Sequence, residues 1–407
     1  MKQILFSDSA ASASATYFAS LQGTAEGTSE LQAITVMPIS GVFTNFNVRL
    51  LVAPGAGKSR AFDILVNSAP QMSVTISETD LTGSNVGPLS VSAGDTVCIR
   101  LVPTGSPTGT TAYYTLEFNS TANNESIILG SSNSMSSAAV SYHQLMGILK
   151  TTSVATESNM WQVMPTSGTI KNFYVHTDTG WGIGADAYDV TISKNGTPTD
   201  LTVNLTSAAP TANDTVHTVT VAAGDTISVK TTPLNTPFNS PRTGWGVLFV
   251  ADTPGESVIL GQDDAVMNTA AVRWDHFCPG GIAFTGYNAF ESSVLAPAPE
   301  GATLKNLYVQ LDGSPFANDT AADWYKFDVR LDSGNTGITC TVADNGTGNT
   351  KANDTTNSVV VTTNQMISLQ ITPNSSPTAR RATWGLVQYN AESNYPTGAI
   401  PTFIWPL

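Results

Sequence analysis

Pro38-Ile39-Ser40-Gly41-Val42-Phe43-Thr44-Asn45-Phe46-Asn47-Val48 returns as Pro165-Thr166-Ser167-Gly168-Thr169-Ile170-Lys171-Asn172-Phe173-Tyr174-Val175. A third copy reads Pro299-Glu300-Gly301-Ala302-Thr303-Leu304-Lys305-Asn306-Leu307-Tyr308-Val309. Each keeps a proline and an asparagine seven residues apart and runs into an apolar alternation. A second block behaves alike: Ala93-Gly94-Asp95-Thr96 recurs as Ala223-Gly224-Asp225-Thr226 and, degraded, as Thr363-Asn364-Gln365-Met366. Proline pairs follow at Pro103/Pro107, Pro233/Pro237 and Pro373/Pro377, each leading to a bulky aromatic, Tyr114, Trp245 or Trp384. The openings Ile4-Leu5-Phe6-Ser7, Ile128-Leu129-Gly130-Ser131 and Ile259-Leu260-Gly261-Gln262 align in the same way. A period well over 100 residues exceeds any solenoid unit, so each copy is a domain with its own core. The expected domains are 1–122, 123–254 and 255–390, followed by an extended arm over 391–407.

Inside a copy the periodicity is two. Tyr188–Ser193 alternates, Asn195-Gly196 turns, and Thr199–Thr206 alternates again. Asn-Gly between two such runs is a strong hairpin signal, because both residues accept positive φ. About eight short strands per copy, with Pro and Gly turns and no amphipathic helix, predict an all-β chain of antiparallel two-sheet sandwiches.

The string from Tyr188 to Pro237, with its Tyr-x-Val-Thr strand, Asn-Gly turn and Val-Ala-Ala-Gly-Asp-Thr-Ile-Ser-Val-Lys segment, resembles the C-terminal globular domains of bacterial collagen-like surface glycoproteins. Those domains group with the complement-head and tumour-necrosis-factor-like jelly rolls. Leu51–Gly57 ahead of Phe62-Asp63-Ile64 is similar to that family's Pro-Gly loop, and similar cassettes occur in bacteriophage structural proteins. The resemblance implies three tandem jelly-roll sandwiches that associate in threes and serve a binding or structural role. There is no Gly-X-Y stalk, and the three domains are fused. Fusion is compatible with an intrachain pseudo-trimer or with a chain that trimerises about a common axis.

Composition narrows the function. Of 407 residues, 17 are Lys or Arg and 31 are Asp or Glu, for a net charge of −14. Charged residues total 12%, about half the usual share; Ser, Thr, Asn and Gly take their place. So sparse and acidic a set cannot neutralise phosphates, so a nucleic-acid partner is not expected. No apolar run reaches the roughly 18 residues of a membrane-spanning helix, so no membrane association is expected either. The apolar run at Met1–Phe6 is too short for a signal peptide and reads as a strand.

Catalytic signals are missing. Pro54-Gly55-Ala56-Gly57-Lys58-Ser59 lacks the first glycine of a phosphate loop and precedes a strand pattern rather than a helix. His143, His176, His217 and His276 fall at unlike repeat positions. Asp263, Asp264 and Asp275 read as turn residues accepting backbone hydrogen bonds rather than as a cation site. Cys98, Cys278 and Cys340 are spaced for neither disulfides nor zinc. The Asn-x-Ser/Thr sequons at Asn119, Asn195, Asn204 and elsewhere read as turn residues. The chain is therefore expected to be non-enzymatic and to carry no metal or cofactor.

Aromatic residues divide into two sets. Tyr17, Tyr142 and Trp274, like Tyr114, Trp245 and Trp384, recur and are expected in cores. Trp181, Phe238 and Phe316 stand in Gly/Pro/Asp-rich loops and are the candidate contacts for a ligand or partner. Phe403, Trp405 and Leu407 alternate in the arm, which would either dock on a neighbouring subunit or close its own domain edge. The function these features predict is a structural protein on the exterior of a bacteriophage virion: a capsid decoration, head-fibre or tail component. Its partners would be other virion proteins or further copies of itself. The alternative is a cell-surface or extracellular adhesin that binds host glycans through its loops.

Overall fold

The computed structural model describes residues 1–390 apart from 24–25, 123, 133, 148–153, 179, 264, 278–286, 299–300, 317–322, 345–347 and 363–364. The candidate arm residues Phe403, Trp405 and Leu407 lie outside the described residues. So does Cys278.

The described chain is all-β, with six antiparallel sheets and three short 3-10 turns. In the first unit one sheet orders Lys2–Ala11, Thr110–Asn119 and Gly41–Leu50, with Thr82–Asn85 and Leu89–Val91 along the far edge. The other orders Tyr17–Ala19, Thr96–Thr104, Gly55–Val66 and Ala69–Glu78, with Thr35–Val36 also pairing Thr96–Thr104. Units two and three repeat both orders. Buried side chains from the two sheets form one core per unit, such as Phe43, Phe46 and Val48 against Phe62, Ile64 and Val74. The outward faces are Thr, Ser and Asn: in Thr197–Thr206, Leu201, Val203 and Leu205 point in while Thr202, Asn204 and Thr206 do not.

The repeated motifs mark distinct physical constraints. Asn45, Asn172 and Asn306 hold φ of 52°, 52° and 54° at shifts in strand register. Asparagine tolerates this left-handed region better than other side chains, so the motif's asparagine marks a β-bulge. Asn195-Gly196, Asn67-Ser68 and Asp332-Ser333 all have two consecutive positive φ values, as a twisted two-residue hairpin requires. Asp225 accepts from Asn195 Nδ2 (2.8 Å) and Ala222 N (2.8 Å). Asp95 does the same with Asn67 and Ser92. The degraded third copy keeps the contact with the polarity reversed: Gln365 Nε2 donates to Asp332 Oδ2 (3.0 Å).

The first strand of each unit joins the three. Leu5 lies in the first unit's core, while Ile4 and Phe6, on its opposite face, lie in the third unit's. Ile128 lies in the second core, and Ile127 and Leu129 lie in the first. Ile259 lies in the third, and Val258 and Leu260 lie in the second. The contacts run first to second to third and back to the first, closing a ring. The register also corrects the sequence alignment by one residue: Leu5, not Ile4, is equivalent to Ile128. Ser7 faces Tyr114 as Gly130 faces Trp245 and Gly261 faces Trp384. A slip of one residue exchanges the faces of a strand, and a run apolar on both faces conceals it.

The motif's proline belongs to the same ring. A Cβ on Gly246 would sit 1.9 Å from Val36 O and 3.1 Å from Pro38 Cδ, both in the first unit. On Gly385 it would meet Val163 O at 2.2 Å and Pro165 Cδ at 2.9 Å, in the second. The first and second units thus each lay a proline segment against a strand of the next. Gly246→Ala and Gly385→Ala should each lower stability by about 1–3 kcal/mol through overpacking. Gly109→Ala, where an added Cβ meets nothing within 4 Å, should stay within about 0.5 kcal/mol. Urea unfolding of the three variants measures this.

Candidate functional site

Strand direction gives the ring two unlike ends. Lys2–Ala11 and Gly41–Leu50 both run antiparallel to Thr110–Asn119, and the other units keep this arrangement. Residue 1, both linkers and Asn390 therefore gather at one end. Met1 N donates to Ala122 O (3.1 Å), Asn124 Nδ2 to Ala251 O (3.2 Å), and Asn390 Nδ2 to Lys2 O. The long Pro-containing loops of all three units lie at the other end. That loop end carries the sequence-derived contact candidates and is the candidate contact surface.

Trp181 is not available there, contrary to expectation. It is 1% exposed and meets the Tyr188 ring edge-on, with centroids 5.0 Å apart at 64°. Its carbonyl accepts from both Phe238 N and Asn239 N at 3.1 Å, stapling two loops together. The Gly/Asp-rich surroundings suggested an exposed loop tip, but burying an indole on a core tyrosine outweighs exposing it. Phe238 stays 56% exposed, and Ile183, which sequence reasoning passed over, is 73% exposed. The signal for Ile183 was an isolated apolar residue in Gly182-Ile183-Gly184. Phe316 is half-buried, with its N–H on Ser314 Oγ (3.0 Å) and its carbonyl on Thr378 Oγ1 (2.7 Å). Val52 and Leu81 are exposed apolar residues of the first unit's loops at this end. The three units thus bring different side chains to one end, and only the second presents an exposed aromatic among the sequence candidates.

The recurring aromatics separate. Tyr114, Trp245 and Trp384 are core residues, and Trp245 Nε1 donates to Leu145 O (2.8 Å). Glycine faces both tryptophans because a Cβ on Gly130 or Gly261 would overlap the indole. Tyr17, Tyr142 and Trp274 are only half-buried, contrary to expectation. Pairing makes Phe18, not Tyr17, the equivalent of Tyr142 and Trp274, since Arg100, Lys230 and Gln370 face them.

No arrangement for acid–base chemistry emerges among the described histidines. His143 is buried between Thr231 Oγ1 (3.2 Å) and the Trp245 ring (6.0 Å); burial lowers its pKa to about 3. The His176 and His217 rings meet Thr211 Oγ1 (3.1 Å) and Asp214 Oδ2 (2.9 Å) respectively. His276 faces Asp8 at 3.4 Å across the contact between the third and first units. Among the described residues no group of three or more His, Cys, Asp or Glu could hold a metal ion. Cys98 and Cys340 are buried free thiols, and burial pushes both pKa values up. Thiols so placed are poor nucleophiles. Residues 55–59 open the strand Gly55–Val66, a geometry without the helix N-terminus a phosphate loop needs. What the described surface offers chemically is hydrogen-bonding and apolar contact. No family model matches the chain, and neither does any curated protein.

Two outcomes follow. Trp181→Ala should cost about 3–5 kcal/mol, whereas Phe238→Ala should stay within about 0.5 kcal/mol, read by urea unfolding. The His143 imidazole, held neutral in the folded state, ordinarily titrates near 6.5. As pH falls from 6.5 towards 3 the unfolded chain binds a proton that the folded one does not, so stability falls. The slope from this group is at most about 1.4 kcal/mol per pH unit, and His143→Gln should flatten the midpoint-versus-pH curve there.

Proposed function

We propose that this chain is a non-enzymatic structural protein displayed on the exterior of a bacteriophage virion, as a capsid decoration, head-fibre or tail component. In this reading each unit is a jelly-roll domain, and the three domains 1–122, 123–254 and 255–390 take the places of three protomers in one chain. The observation that carries the structural role is ring closure: each unit's first strand completes the core of another unit. A body assembled this way is rigid without a partner and has two unlike ends. The end holding both linkers and Asn390 suits attachment, and the loop end suits display. Outward faces of Thr, Ser and Asn support close packing with few specific ion pairs. The resemblance to phage cassettes carries the choice of particle.

A second reading, a glycan-binding adhesin, rests on the exposure of Phe238 and Ile183 at the loop end. An exposed aromatic beside hydrogen-bonding side chains is a usual element of sugar contacts. Mass spectrometry of purified particles tests the first reading, with the chain expected at a fixed ratio to capsid protein. Its absence from particles, together with glycan-array binding that Phe238→Ala removes, would decide for the adhesin. Light scattering should give the 42.6 kDa of one chain; a mass three times larger would contradict the intrachain arrangement.

A further inference from the structure

The hairpin residues Asn195-Gly196 have a chemistry of their own. The chain contains two Asn-Gly pairs, this one and Asn345-Gly346, which lies outside the described residues. Asn195 clamps its hairpin to the turn Ala222–Asp225. Its Nδ2 donates to Asp225 Oδ1 (2.8 Å), and its Oδ1 accepts from Thr226 N (2.8 Å) and Thr226 Oγ1 (3.3 Å). The other Asp225 oxygen, Oδ2, accepts from Ala222 N (2.8 Å) and lies 3.4 Å from Lys194 Nζ. The clamped turn also reaches the third unit. A Cβ on Gly224 would lie 3.8 Å from Tyr308 Cε1, and Lys351 Nζ donates to Gly224 O (3.5 Å).

The other units show the same position with different chemistry. The N–H groups of Asn67, Asn195 and Asp332 donate to Thr96 O, Thr226 O and Met366 O, which fixes the equivalence. In the first unit Asn67 clamps Asp95 as Asn195 clamps Asp225, but a serine follows it. In the third unit the position is already a carboxylate, and its partner is an amide. Gln365 Nε2 donates to Asp332 Oδ2 (3.0 Å) while Met366 N donates to Oδ1 (2.8 Å). An acid is thus accommodated here opposite an amide, whereas Asn195 stands opposite the acid Asp225.

We propose that Asn195-Gly196 is a site of self-modification, at which asparagine loses its side-chain amide and the clamp on the turn is released. The Gly196 backbone nitrogen attacks Asn195 Cγ. A Cγ–N bond forms and the Cγ–Nδ2 bond breaks; the Gly196 amide proton passes to the departing nitrogen, which leaves as ammonia. Water then opens the five-membered succinimide at either of its C–N bonds, leaving aspartate at 195 or an isoaspartyl link in the main chain. Both residues are exposed, and a Cβ added at Gly196 would meet only Glu157 Oε2, at 3.9 Å. The two Thr226 donors stand on the carbonyl oxygen, where negative charge develops as the nitrogen adds. Asn67 has equivalent donors in Thr96; it lacks the glycine, whose missing Cβ leaves the attacking nitrogen unshielded. The aspartate product sets an oxygen where Nδ2 stood, so two carboxylates face each other, with Lys194 on the far oxygen of Asp225. The inference depends on neither reading of the chain's role.

Peptide mapping by mass spectrometry of the full chain, aged at mildly alkaline pH, tests the reaction. The peptide holding Asn195 should lose its amide and gain isoaspartate, and do so faster than the peptide holding Asn67. An Asn195 amide that survives ageing, or equal loss at Asn67, would overturn the proposal. Hydrogen exchange tests the release. In Asn195→Asp the Ala222 and Thr226 amides should exchange about tenfold faster than in the wild type, the factor supplied by two unit charges about 3 Å apart in water. The double variant Asn195→Asp/Asp225→Gln, which installs the third unit's pair, should restore the wild-type rates. The aged wild-type chain should show the same faster exchange, so the outcome does not hang on either variant folding. Unchanged exchange in the aged chain and the single variant, or no restoration in the double one, would refute the release.

Discussion

The structure depends on three strands that are apolar on both faces. Lys2–Ala11, Glu125–Ser132 and Glu256–Gln262 each give one face to their own core and the other to a neighbouring unit's. Burying one such aliphatic or aromatic side chain is worth about 1.5–3 kcal/mol. Whole domains are stable by only about 5–15 kcal/mol. Two side chains withdrawn from each core would therefore remove much of a unit's stability, which makes the three units interdependent.

The rest of the architecture serves that contact. Neighbouring backbones can approach only where the receiving strand has small residues, hence Gly244, Gly246 and Gly385. The proline segment that arrives there presents carbonyls and a flat ring rather than long side chains. Where tryptophan fills the core, the facing position is glycine; where Tyr114 replaces it, Ser7 is tolerated. Ring closure also sets the orientation of the molecule, because equivalent ends of the units must lie together. Phe238 and Ile183 consequently project at the end away from the linkers.

Near-symmetry lets the units diverge where the ring does not constrain them. Glu157 Oε1 accepts from Ser228 Oγ (2.9 Å) and also from Ser193 Oγ. At the equivalent place Glu291 Oε1 accepts from Arg330 Nε (3.2 Å) and Ser368 Oγ (2.8 Å). The first unit puts Leu65 and Cys98 there in a small apolar cluster with Ala33. Three solutions to one packing position, two polar and one apolar, account for Cys98 standing where the other units have a serine. The divergence at the loop end is of the same kind.

The amino-acid sequence alone determined the all-β class, the threefold repeat, the hairpin at Asn195-Gly196 and the core roles of Tyr114, Trp245 and Trp384. Each is written in local periodicity or in a residue whose backbone preference is intrinsic. Tertiary structure decided what local pattern cannot encode. The run Ile4-Leu5-Phe6 is equally apolar in either register, so only pairing with Thr110–Asn119 shows that Leu5 faces its own core. Trp181 reads as an exposed loop residue until Tyr188, a neighbour only in the fold, provides the surface that buries it. Closure of the ring depends on faces far apart in the chain being complementary in shape, and one-dimensional spacing carries no record of that.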